Sequence, residues 1–262
     1  METPSLTLLQ KIRNILIRIA GLLIIIVPLF FAVSALGSRF GLWDWTFGFG
    51  TLTRNIGPKL LFLTLGVGIL CIIFALLSKP RKGILVGVLA VVLPIAGMGY
   101  AKSVSAKAQS LPFIHDISTD TQNVPMFTQD ILDARKKTAG INGLNYSEKM
   151  DPGSKTLASV AQVKAYSDIR PLIRQETPKV LFDKALKTAN AMGWKVVTSD
   201  AATGRIEATD TTFWFGFKDD VVIRIQAGEG GGSVLDIRSV SRVGMSDIGK
   251  NAARIRGFVA RL

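Results

Sequence analysis

Cysteine and histidine are nearly missing from this chain, with one of each in 262 residues. A lone cysteine, Cys71, can close no internal disulfide, and a lone histidine, His115, leaves an ordinary zinc site short of imidazole and thiolate ligands, so neither metal nor cofactor is expected. Runs of Arg and Lys with interleaved aromatics are also lacking, which removes nucleic acid from the expected partners. Charge is absent altogether from residues 19–36, 60–77 and 83–100, each a stretch of 18 residues. At about 1.5 Å per residue such a stretch spans roughly 27 Å, close to the roughly 30 Å hydrocarbon layer of a bilayer. Lipid offers backbone polar groups no partners, so the expectation is an anchor of three transmembrane helices over about 15–36, 60–78 and 83–100.

Nine Lys and Arg in the first hundred residues face only Glu2 and Asp44, which puts +7 of the net +13 beside the membrane. Lys11, Arg13 and Arg18 precede the first helix, and Lys79, Arg81 and Lys82 fill the turn between the second and third. The positive-inside rule gives both places to the cytoplasm, so three crossings leave the rest of the chain outside: in a Gram-negative bacterium, an inner-membrane protein with a periplasmic domain. The apolar run of the first helix is longer than a signal peptide's, which favours a retained anchor. Trp43, Trp45, Phe47 and Phe49 alternate with polar residues and glycine in the opposite loop and are the expected membrane-interface residues. No Asp, Glu, Lys, Arg or His lies within the three cores, so an ion path through them is not expected.

Beyond residue 100 the texture changes twice. Residues 101–176 are rich in Pro, Asn, Asp, Ser and Thr and read as an irregular wrapping segment, with short helices expected over 128–137 and 155–166. From 177 to 262 a compact α+β unit is expected. Thr177-Pro178 opens a helix with Leu181, Ala185, Ala189 and Met192 on one face and Gly193 at its end. Four antiparallel strands follow over 194–199, 205–217, 221–226 and 234–243, and Ser246 and Asp247 begin a closing helix striped by Ile248, Ala252, Ile255, Val259 and Leu262.

Three stretches, PFIHDISTD at 112–120, GRIEATDTTFWFGFKDDVV at 204–222 and DIRSVSRVGMSDIGKNAARIRGF at 236–258, resemble the family known as domain of unknown function 1499. The resemblance implies an exported or lumenal α+β domain, sometimes behind membrane helices, and implies no activity. His115 with Asp116 and Asp120 is the one constellation that suggests a general base, and a membrane-tethered hydrolase or lipid-modifying enzyme centred there is the alternative reading. The preferred reading is a non-enzymatic binding or assembly module within a larger membrane complex. Arg224, Arg238, Arg242 and Arg254 are candidates for a positive surface with Trp214 beside it, facing anionic lipid or other membrane or periplasmic proteins.

Overall fold

The computed structural model describes residues 6–138 and 140–262. The chain divides into a helical unit, up to Ser105 together with Phe213–Gly216, and a second unit, Ala106–Thr212 with Phe217–Leu262.

The helical unit contains α1 (Leu8–Arg39), a wide helical segment (Thr46–Ile56) that runs into α2 (Gly57–Leu77), and α3 (Ile84–Gln109). All three spans are long and apolar enough to cross a membrane. A capping box opens α1: the Gln10 backbone N–H donates to the Thr7 hydroxyl, and the Thr7 N–H to the Gln10 side chain. Small residues let the helices approach closely. Ala20, Cys71 and Ala90 are fully buried together, and a Cβ added at Gly68 would lie 2.8 Å from the Ala90 carbonyl carbon. Two buried hydroxyls on the spans return to their own helix, Ser34 to the Phe30 carbonyl and Thr64 to that of Leu60, which satisfies them without water. Arg13 donates to the Pro80 carbonyl at 2.6 Å and to Ser78 Oγ, and Gln10 to the Lys79 carbonyl. The basic entry of α1 and the basic α2–α3 turn therefore lie at one end of this unit. At the other end the Trp43 indole fills the space a side chain at Gly37 would need and donates to the Ser34 carbonyl at 3.2 Å.

The second unit is α+β. Its elements are β1 (Asp116–Ser118), α4 (Gln129–Lys136), a small ribbon of β2 (Met150–Asp151) and β3 (Thr156–Leu157), α5 (Ala158–Ala165), β4 (Leu172–Arg174), α6 (Pro178–Ala191), β5 (Lys195–Asp200), β6 (Arg205–Thr211), β7 (Lys218–Ala227), β8 (Ser233–Ser241) and α7 (Lys250–Val259). The four-strand meander β5–β8 is there as the sequence suggests, but the sheet has six antiparallel strands, because β1 and β4 both pair with the outer edge of β8. Residues 106–176 thus join the same unit and do not merely wrap it. The outer edge of β1 is closed by Gln162 of α5, whose amide bonds both the N–H and the C=O of Ser118 as a neighbouring strand would.

One face of the sheet carries the apolar core. Ile206, Val221, Ile223, Leu235 and Ile237 pack there under Leu181 and Ala185 of α6 and Ile255 and Phe258 of α7, with Trp194 stacked on Phe258. Gly193 ends α6 with φ +76°, a conformation that disfavours a Cβ. Two expected boundaries shift. Strand β6 stops at Thr211, so Phe213 and Trp214 lie in a turn and not on a strand. The closing helix begins at Lys250, since Ile248 and Gly249 take positive φ, while Asp247 caps it by accepting from the Gly249 and Asn251 N–H groups.

Candidate functional site

Side chains alternate across a strand, and here the alternation sorts charge from grease. On β7, Val221, Ile223 and Ile225 join the apolar core, while Asp220, Val222 and Arg224 face the other way. The register puts Asp116 of β1, Glu207 and Thr209 of β6, and Asp236, Arg238, Val240 and Arg242 on that second face. A face so polar is normally left to water. Here residues 119–138 and 140–149 lie over it, holding Phe127, Ile131 and Leu144 against Val222 and Val240.

Burial of so many charges requires partners for each. Arg238, wholly buried, forks onto Asp116 at 2.9 and 2.8 Å, donates to the carbonyls of Pro125 and Leu144, and stands over the rings of Phe127 and Tyr146. Lys149 reaches the same carboxylate at 2.6 Å. Burial alone would raise the Asp116 pKa, yet the Arg238 hydrogen bonds and the two cations hold it below the usual carboxylate value. Asp220 takes Arg135 and Arg242, each at 2.7 Å, and the Thr209 hydroxyl. Arg224 joins Asp236 at 2.8 Å and Asp120 at 3.2 Å. On the core side of the sheet, Arg254 bridges Asp210 and Asp219 and bonds Asn251.

The arginines are therefore not the open positive surface that the sequence suggests. Arg238, Arg242 and Arg254 are 0, 5 and 6% exposed, and Arg224 is largely covered. Their carboxylate partners lie across neighbouring strands or in the covering segment, too far along the chain to be read from spacing. Trp214 is solvent-facing, 54% exposed, in edge contact with Phe213 at 66%. Of the four loop aromatics, Phe47 is exposed and Trp43, Trp45 and Phe49 are half-buried.

His115, Asp116 and Asp120 are not joined into one hydrogen-bonded unit. Asp116 is occupied as above, and Asp120 caps a turn by accepting from the Gln122 and Asn123 N–H groups while holding Arg224. His115 Nδ1 lies 3.2 Å from the Met245 carbonyl oxygen, and its Nε2 is buried with no partner. Burial, and then the Lys149 charge, lower its pKa below the ordinary histidine value. The ring borders a cavity of about 150 Å³ to which Lys149, Met150 and Met245 also contribute. Lys149 and Met245 escaped sequence reasoning, because nothing local marks residues 34 and 130 positions away as neighbours of His115. Among the described residues, no cluster of three or more His, Cys, Asp or Glu side chains is arranged to hold a metal ion. No curated protein matches the chain. A family model described as a protein of unknown function (DUF1499) matches residues 116–262.

Proposed function

The chain belongs to the DUF1499 family, and from that premise we propose that it is a non-enzymatic envelope protein, held in the bacterial inner membrane by its three helices, that displays a periplasmic binding or assembly module as part of a larger membrane complex. The observation that carries this reading is the state of Asp116. The carboxylate next to the only histidine is buried and saturated by Arg238 and Lys149, so it serves the fold and is not free to take a proton from a substrate. The exposed aromatic pair Phe213 and Trp214 supports a contact role, because large apolar side chains side by side in water mark surfaces that meet lipid or protein. The bonds from Arg13 to the basic α2–α3 turn support the orientation, since they keep both basic clusters on one side of the membrane.

The test replaces Asp116 by Asn in a strain that lacks the chromosomal copy. A structural carboxylate predicts that cellular abundance falls and that function falls in proportion, both recovering at lower growth temperature, because breaking a buried ion pair costs about 3–5 kcal/mol. Normal abundance with lost function would show Asp116 at work in a reaction and would overturn the non-enzymatic reading in favour of a hydrolase or lipid-modifying enzyme.

A further inference from the structure

Four residues from far along the chain, Phe213–Gly216, belong to the helical unit. Gly216 takes φ +66°, and a Cβ there would lie 3.0 Å from the Arg39 Cα, so this turn packs closely on the last residue of α1. Arg39 Nη1 donates to the Phe213 carbonyl at 2.8 Å, and its guanidinium lies 5.3 Å from the centre of the Phe213 ring. The Phe215 ring meets Phe49 edge-on at 5.2 Å. Phe213 and Trp214 meet each other in the same way, with ring centres 5.3 Å apart, yet both remain more than half exposed.

Arg39 sets the depth of this pair. The charge-free run of α1 ends at Leu36, and three further residues at about 1.5 Å each put Arg39 roughly 4.5 Å beyond it, inside a headgroup layer of roughly 5–8 Å. A guanidinium is costly in hydrocarbon, so the turn that Arg39 holds sinks no deeper than that layer, and the bond to the Phe213 carbonyl leaves it little room to rise out of it. Phe40 and Leu42, next in the chain, add exposed apolar surface at the same end of α1. Headgroups surround a helix end at this depth, and aromatic rings, above all an indole with its polar N–H, are the side chains that settle among them. We infer that Phe213 and Trp214 form a lipid-binding wedge, both rings inserted where the headgroups meet the acyl chains on the side of the bilayer where α1 ends. This inference rests on the reading of the three helices as a membrane anchor and names lipid as what the exposed pair meets.

The test holds the full chain in nanodiscs of phosphatidylcholine and phosphatidylglycerol, with the phosphatidylcholine either unmodified or brominated near the carbonyl end of one acyl chain. Bromine quenches indole fluorescence only at near contact. Subtracting the emission of Trp214→Phe from that of the parent chain separates the share of Trp214 from those of Trp43, Trp45 and Trp194. Most of that share is expected to be lost in the brominated discs. Phe213→Trp, made in the Trp214→Phe background, should restore a share that bromine again removes, which guards against an effect of one variant on the other indoles. An undiminished share at either position would put that ring in water, open to a protein partner, and would overturn the inference. Neither result touches the abundance and function of Asp116→Asn, so the two readings fail separately.

Discussion

Neighbouring residues 115 and 116 show how context divides the work of two titratable groups. Asp116 is buried but ringed by cations, so it stays ionised; His115 is half-buried beside a cation, which favours its neutral form. For His115 the folded state refuses a proton that the unfolded chain takes up near the ordinary value of 6.5, so its contribution to stability is complete above that pH. It is lost as pH falls from about 6.5 toward the lower folded value, at no more than about 1.4 kcal/mol per pH unit. Asp116 acts in a separate, more acidic window: its stabilisation is present above the usual carboxylate range and fades only as pH drops through its lowered folded value. The expected outcome is that the full chain melts at lower temperature at pH 5.5 than at pH 7.5, and that His115→Phe narrows the gap. An unchanged gap would mean that the ring is solvated. Asp247, partly buried just before α7 with its pKa raised by desolvation, pulls the other way in the acid range, so the comparison with the variant is the deciding measurement and not the raw slope.

Elements carry the same lesson at a longer range. Helix α7 buries Ala252, Ile255 and Phe258 on the sheet while Lys250 and Arg256 face water. Ile255→Asp puts an unpaired charge into that layer and should leave the second unit unfolded, whereas Lys250→Ala should change stability by less than about 0.5 kcal/mol; equal melting temperatures for the two variants would contradict the packing. This helix and the meander were legible in the sequence because their signals are local, a 3.6 residue stripe and period-two strands punctuated by turns. The polar face of the sheet was not. Asp116 meets Arg238 across 122 residues, Asp220 meets Arg135 across 85, and Arg224 meets Asp120 across 104. Alternation correctly put Asp236, Arg238 and Arg242 on one side of β8. It could not say that residues 119–138 and 140–149 would roof that side, because the roof has little hydrophobic periodicity of its own. The two added strands, β1 and β4, were missed for a related reason: three residues each are too few to show a period.

At the scale of the whole molecule, the remaining question is which side of the membrane the second unit occupies. The charge balance answers through loops, since a Lys or Arg near a span resists translocation while Asp and Glu contribute little. Lys11, Arg13 and Arg18 at one end of α1, with Lys79, Arg81 and Lys82 in the α2–α3 turn, outnumber and outconcentrate Arg39, Arg54 and Lys59 at the other end. The side-chain bonds between Gln10 or Arg13 and the turn make the first cluster and the second a single basic end, so the two cannot be sorted independently. Cysteine labelling decides the matter if the probes are exposed. Ser78 and Ser233 are buried and unsuitable, whereas Leu6 and Glu229 face solvent and lie outside the basic clusters. In a Cys71→Ala background, Glu229→Cys should react with an impermeant maleimide once the outer membrane is opened, and Leu6→Cys only after the inner membrane is lysed. The reverse pattern would put the second unit in the cytoplasm. The basic end would then lie outside, against the rule that assigned it, and the proposed envelope function would fall with it.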